Sequence, residues 1–143
     1  KSPQFNAFRK DADPKLTGSA AGDIRTFLAP GPGMRLLDAG CCADLAAYRL
    51  DRWGSIYFGV DISSGVIREM KAFAEKENIS LGGLEVAELT DLPYPDDFFD
   101  IALCIGVIEY VDLEYTRRAV FELNRVLKKQ SKKERRPMIQ WKL

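Results

Sequence analysis

Three short apolar runs of this sequence each end at or just before an acidic residue, and segments with helical periodicity lie between them. The acids are Asp38, Asp61 and Glu88. A helix between two consecutive strands returns the chain to the same edge of a sheet, so the two strands run parallel. A fourth run, Ile101–Ile105, is apolar at every position, which is typical of a strand buried on both faces. We therefore predict an α/β domain with a doubly wound, mostly parallel sheet and helices on both faces.

The order of elements follows from apolar spacing and from residues that cap helices. The predicted strands are 34–38, 55–61, 84–87 and 99–105, with 138–141 as a fifth strand or an unpaired tail. The predicted helices are one capped by Thr17 or Ser19, one over about 43–52 with Asp44 as its cap, one capped by Ser63 or Ser64, and one capped by Asp112. The third helix is expected to bury Val66, Met70, Phe73 and Ala74, and the last helix Leu113, Thr116, Val120, Leu123 and Leu127.

The length of 143 residues favours one domain, and an apolar fraction of 46% is enough to build a core. Within that domain, residues 1–33 are expected to form an N-terminal helical cap and residues 34–128 the core. Residues 129–143 form a basic tail that includes the possible fifth strand.

Charge and cysteine usage exclude several classes of function. The 21 basic and 21 acidic residues cancel, so nucleic-acid binding is not favoured. No run approaches the ~20 apolar residues that cross a bilayer, and three cysteines form no secretory framework, so we expect a cytoplasmic protein. The absence of histidine excludes imidazole-based triads and histidine-ligated zinc, and we predict no metal site. An oligomer remains possible.

Acids at the ends of consecutive strands point to a nucleoside. In sheets of this class, ligands bind beyond the carboxyl ends of the strands, where the strand order reverses. A carboxylate after the second strand can accept hydrogen bonds from both ribose hydroxyls, which fits Asp61. Glu88 can accept from the exocyclic amine of adenine, and the amide of Leu89 can donate to a ring nitrogen.

The turn after the first strand indicates which nucleoside cofactor is favoured. Asp38 and Asp44 flank this turn, and no basic residue lies between Leu36 and Tyr48. Anions there oppose a pyrophosphate, which prefers glycines and a helix N-terminus. A ligand with a sulfonium and an ammonium is compatible with them, so charge favours S-adenosylmethionine over NAD.

Five segments resemble motifs of the class I methyltransferases. They are residues 36–41 (the first motif), 59–63 (the second), 88–100 (the loop into strand four), 104–111 (the segment after it) and 124–128 (the end of the following helix). The subgroup that methylates small metabolites, including quinones and sterols, is the most similar in style. The resemblance implies a Rossmann-like sheet, S-adenosylmethionine as the cofactor and a small-molecule acceptor. The family sheet has seven strands, so this chain is expected to lack the last strands.

The resemblance also implies roles for individual residues. Asp38 would organise the first turn, and Ala39, Gly40 and Cys41 would pass beside the methionine part of the cofactor. Asp61 would hold the ribose, Ile62 would pack on adenine, and Glu88 and Leu89 would form hydrogen bonds with the adenine edge. Ile105 would contribute backbone near the methyl group. Three positions depart from the family pattern. Cys42 and Asp44 replace glycines, and Tyr110 replaces a histidine and is a candidate substrate contact.

Three functions compete at this point. The first is S-adenosylmethionine-dependent methyl transfer to an unidentified, small-molecule acceptor, with no catalytic residue assigned. The second is a non-catalytic methyltransferase-like domain that serves as a binding or scaffolding module. It is favoured by the replacement of two family glycines by Cys42 and Asp44. The third is an NAD-dependent oxidoreductase, which has the ribose acid but lacks the glycine fingerprint.

Overall fold

The sheet is parallel, as the sequence predicts, and the described residues contribute five strands to it. Of the two alternatives for the C-terminal segment, a fifth strand and an unpaired tail, the first is correct. The structure, a computed structural model, describes residues 24–129 and the backbone of residues 139–142. The strands are β1 Arg35–Ala39, β2 Ile56–Asp61, β3 Gly83–Val86, β4 Ile101–Ile105 and β5 Ile139–Lys142. Their order is β3-β2-β1-β4-β5, and every neighbouring pair is parallel. The strand order therefore reverses between β1 and β4, and this is the position where ligands bind in open sheets of this class.

Helices connect the strands, and two of the predicted caps are confirmed. The helices are α1 at residues 24–28, α2 Asp44–Tyr48, α3 Ser64–Lys76 and α4 Leu113–Val126, with short 3-10 helices at Leu50–Trp53 and Ile108–Tyr110. The Ser63 hydroxyl accepts from the Val66 N–H at 3.3 Å, and the Asp112 carboxylate accepts from the Tyr115 N–H at 2.7 Å. The predicted cap at Thr17 or Ser19 lies outside the described residues.

The prediction of one continuous helix over 43–52 is wrong. α2 ends at Tyr48 because Arg49 adopts the left-handed conformation, with φ of 50°, and a 3-10 helix follows. The prediction that Asp44 caps α2 is also wrong, since Ala43 is the N-cap and Asp44 lies buried in the first turn.

Alternate strand residues point to two cores, one on each face of the sheet. Leu36, Tyr57 and Leu103 face α3, whereas Leu37, Phe58 and Ala102 face α4. The α3-side core is completed by Ile67, Met70 and Ala74, and the α4-side core by Ala119, Leu123 and Val126. The predicted α3 face is confirmed for Met70 and Ala74, and the partly buried Val66 and Phe73 pack against it.

The predicted stripe of α4 is only partly correct. Leu123 and Leu127 are fully buried, but Leu113 is 69% exposed. α4 instead buries Ala119, Glu122 and Val126, a face rotated from the one that the apolar residues alone indicate. Sequence hydropathy does not find this face because it includes a glutamate.

Glu122 and Arg125 of α4 hold the loop between β3 and β4. The Glu122 carboxylate accepts from the Leu92 N–H at 2.7 Å and from the Arg125 Nε at 2.6 Å. The Arg125 guanidinium also donates to the carbonyls of Leu92 and Tyr94 and to the Asp96 carboxylate, at 2.8–3.1 Å. The loop backbone is therefore fixed by charge-assisted hydrogen bonds to one helix. Among the described helices, none is long and apolar enough to cross a membrane.

Candidate functional site

A crevice of about 360 Å³ opens where β1, β2, β3 and β4 end. Its wall comes from the segments that follow these four strands and from the start of α4. The lining residues are Gly40, Cys42, Asp61, Ile62, Ala87, Glu88, Leu89, Gly106, Val107, Tyr110, Val111 and Tyr115. The crevice therefore lies at the reversal of strand order, as expected for a doubly wound sheet.

The turn after β1 brings backbone close to the crevice. The N–H groups of Gly40 and Cys41 both donate to the Val60 carbonyl at 2.9 Å, which ties the turn to β2. Gly40 has a φ of 78°, and a Cβ there would clash with the side chain of Val107. This position therefore requires glycine both for its conformation and for space.

Cys42 lies in the left-handed region, with φ of 37°, and its side chain is half-buried in the crevice wall. The left-handed conformation costs a residue with a side chain more than it costs glycine. Burial raises the pKa of the Cys42 thiol, so the sulfur stays protonated and is not an activated nucleophile.

Asp61 stands at the end of β2 with its carboxylate already oriented. Oδ2 accepts from the Cys42 N–H at 3.0 Å, and Oδ1 accepts from the Ser63 N–H at 2.9 Å. Each carboxylate oxygen has a further lone pair, so Asp61 can still accept from two ligand hydroxyls. Ile62 beside it is 64% exposed and gives the crevice an apolar surface on which a ring can pack.

Glu88 lies beyond β3 on the same wall. The turn that carries it is closed by the Asp91 N–H, which donates to the Glu88 carbonyl at 3.1 Å. The Tyr115 hydroxyl donates to Glu88 Oε2 at 3.0 Å. Leu89 is 5% exposed, so its side chain anchors this segment in the α4-side core.

Two buried acids lie under the turn after β1. Burial raises the pKa of Asp38 to about 7, and the hydrogen bond from the Tyr57 hydroxyl, at 2.7 Å, partly opposes that shift. Burial, followed by the carboxylates of Asp38 and Asp61, raises the pKa of Asp44 to about 9. One oxygen of each, Asp38 Oδ1 and Asp44 Oδ2, has no hydrogen-bond partner among the described residues. At neutral pH the Asp44 carboxyl is therefore protonated and the Asp38 carboxyl is about half protonated, so the two acids bring little negative charge to the turn.

The structure brings most of the predicted site residues together. Gly40, Asp61, Ile62, Glu88, Leu89 and Tyr110 all line the crevice. Ala39 and Cys41, expected beside the methionine part, are fully buried and do not line the crevice. Asp38, expected to organise the first turn, is fully buried beneath it. Ile105, expected near the methyl group, is the last residue of β4 and does not line the crevice, whereas Gly106 and Val107 do.

Tyr115 and Val111 belong to the wall but were not predicted from the sequence. Tyr115 is three residues after the predicted cap, Asp112. The first turn of a helix that follows a strand lies at the carboxyl edge of the sheet, and this position is the signal that could have found Tyr115.

These residues fit an adenosine moiety. Asp61 and Glu88 are acceptors at the ends of neighbouring strands, and the apolar Ile62 lies between them along the chain. The one poor fit is at Cys42, which lines the crevice in a left-handed conformation that glycine adopts at lower cost.

Known proteins match this chain in sequence. A family model described as methyltransferase domain matches residues 37–132. An uncharacterised methyltransferase, YcgJ of Bacillus subtilis, is 30% identical over 94 residues, which are 66% of this chain and 36% of that protein. A ubiquinone biosynthesis O-methyltransferase of Rhodopseudomonas palustris is 33% identical over 102 residues, 71% of this chain and 35% of that protein. The chain spans about a third of the length of these curated relatives.

Solved structures match the fold. The crystal structure of the Bacillus subtilis YcgJ protein superposes with a TM-score of 0.66 at 28% identity, covering 76% of this chain and 45% of that one. A putative S-adenosylmethionine-dependent methyltransferase of Methanococcus maripaludis superposes with a TM-score of 0.72. Its identity is 15%, over 90% of this chain and 62% of that one, so it shows the fold alone. Because the family model covers most of the sheet and the crevice, this chain belongs to the class I S-adenosylmethionine-dependent methyltransferases.

Proposed function

We propose that this chain binds S-adenosylmethionine in the crevice and transfers its methyl group to a small-molecule acceptor. The observation that carries the proposal is the pairing of Asp61 and Glu88 on one wall, with an exposed isoleucine beside them. Asp61 would accept from the ribose hydroxyls, Glu88 from the adenine amine, and Ile62 would pack on the ring. The curated relatives named for ubiquinone biosynthesis support a small molecule as the acceptor.

The bound cofactor supplies an electrophilic methyl group with its own leaving group. The chain then needs mainly to hold donor and acceptor in line at near-attack distance. Gly40 leaves room for the Val107 side chain beside the first turn, and the Asp61 carboxylate, held by the N–H groups of Cys42 and Ser63, would meet the ribose. Tyr110, which lines the crevice and is 83% exposed, would contact the acceptor.

Calorimetry with S-adenosylhomocysteine tests the proposal. We expect the unmodified chain to bind it, and Asp61→Asn to weaken binding roughly tenfold or more, because hydrogen bonds to a carboxylate contribute about 1.5–3 kcal/mol each. Asp91→Asn is the matched control, because Asp91 is an exposed loop acid that does not line the crevice. This variant should bind S-adenosylhomocysteine as tightly as the unmodified chain does. Absence of binding at millimolar ligand would refute the proposed function for this chain.

A second function, a binding domain without catalysis, is favoured by Cys42. Its side chain occupies a position that combines a positive φ with the crevice wall. If crowding there excludes the cofactor, the same crevice could serve a different, smaller ligand. The Cys42→Gly variant, which lacks that side chain, distinguishes the two functions by its affinity for S-adenosylhomocysteine. The oxidoreductase hypothesis gains no such support, because the first turn has Cys42 and Asp44 in place of the glycines of a dinucleotide-binding fingerprint.

A further inference from the structure

One contact joins two elements across the crevice wall. The Tyr115 hydroxyl, on α4, donates to Oε2 of Glu88, on the segment after β3, at 3.0 Å. Both side chains line the crevice. The bond therefore connects the helix that follows β4 to the acid assigned above to the adenine amine.

The two partners differ in how firmly they are held. Glu88 is exposed, and its long side chain has several rotamers open to it. Tyr115 is half-buried, packs against the α4-side core, and its N–H donates to Asp112 at 2.7 Å. A well-anchored donor thus restrains a side chain that would otherwise move.

The geometry leaves Glu88 able to bind a ligand. The hydrogen bond recorded among the described residues uses Oε2, so Oε1 is available as an acceptor. Burial and the hydrogen bond to Glu88 raise the pKa of Tyr115, so its phenol stays neutral and remains a donor at physiological pH.

We infer that Tyr115 is a positioning residue that presents the Glu88 carboxylate to the exocyclic amine of adenine, and that it thereby sets base selectivity. The inference rests on the proposed function, since it concerns the same adenosine site. Fixing an acceptor before binding lowers the entropy cost of binding. A fixed Glu88 carboxylate favours a base that carries an amine at the edge facing Glu88 over a base that carries a carbonyl there. The carbonyl would face the carboxylate with no hydrogen to donate.

The experiment compares two ligands that differ only at that edge. S-Adenosylhomocysteine carries the amine, and S-inosylhomocysteine carries a carbonyl in its place. We expect the unmodified chain to prefer the adenine ligand at least tenfold in calorimetry. Tyr115→Phe should weaken binding of the adenine ligand by about three- to tenfold and leave the hypoxanthine ligand nearly unchanged. A loss of fold would weaken both ligands equally, so the ratio isolates positioning.

Two further variants complete the design. Glu88→Gln should reduce the same ratio, and adding Tyr115→Phe to it should change little more, because both act through one interaction. Tyr48→Phe, which removes a hydroxyl beside the α3-side core, is the matched control and should keep the ratio. An unchanged or larger ratio in Tyr115→Phe overturns the inference while leaving the proposed function intact. Failure of the unmodified chain to bind either ligand overturns both.

Discussion

Cys42 is the residue at which this chain departs most from a glycine-rich turn. Its N–H orients Asp61, its φ of 37° suits glycine, and its side chain lies in the crevice wall. The backbone role is therefore kept while the side chain adds bulk. A cysteine is small, and the thiol contributes no charge to the site because burial raises its pKa.

Removing that side chain should favour binding. We expect Cys42→Gly to tighten S-adenosylhomocysteine binding by roughly three- to tenfold, because glycine relieves crowding and tolerates the positive φ. Calorimetry measures the change. Cys42→Ala is the control, since it keeps the Cβ and removes only the sulfur. Tighter binding in both variants assigns the effect to the sulfur, and no gain in either shows that Cys42 does not limit the cofactor.

The β3–β4 loop and α4 form the element pair that supports the adenosine side of the crevice. Glu122 is 9% exposed although it is charged, because Arg125 and the Leu92 N–H both bond to its carboxylate. The loop carries Glu88 and Leu89 at its beginning. Holding its middle against α4 limits how far those two residues can move.

Breaking this network should cost stability. We expect Arg125→Ala to lower the free energy of unfolding by about 2–4 kcal/mol, because it leaves the nearly buried Glu122 carboxylate unpaired. Chemical denaturation measures the loss. Lys128→Ala is the control, since its ion pair with Asp100 lies at the surface and should contribute less than about 1 kcal/mol. Similar losses in the two variants would contradict the argument.

The stability of the whole domain depends on pH through Asp38 and Asp44, the two buried acids under the turn after β1. Their carboxyl groups have pKa values of about 7 and about 9, above the ordinary value of 3.8, because they are buried. The folded state thus binds more protons than the unfolded state between pH 4 and pH 9. The contribution of these two acids to the free energy of unfolding is fully present below pH 4, and it is lost as the pH rises through their pKa values in the folded state.

Thermal unfolding across that range tests the dependence. We expect the melting temperature of the unmodified domain to fall by roughly 5–10 °C between pH 6 and pH 9. Asp44→Asn should flatten the curve and raise stability at pH 9, because it removes a buried ionisable group of nearly the same shape. Asp51→Asn, an acid paired with Arg49 away from the crevice, is the control. A fall of equal size in Asp44→Asn would show that another group controls the pH dependence.

The sequence alone determined the parallel sheet, its strands and the acids that end them. Strand burial on both faces and helix caps at Ser63 and Asp112 leave local patterns, and local patterns can be read without a structure. Five motifs also identified the family, and the matched family model agrees with them.

Only the tertiary structure decided which residues reach the crevice. Asp38 and Cys41 lie within the predicted motif but are buried, because the turn presents Gly40 and Cys42 instead. The break at Arg49 and the buried Glu122 depend on partners distant in sequence or on backbone strain, which hydropathy does not record. The contact between Tyr115 and Glu88 joins residues 27 positions apart, so only the packing of α4 against the β3–β4 loop could create it.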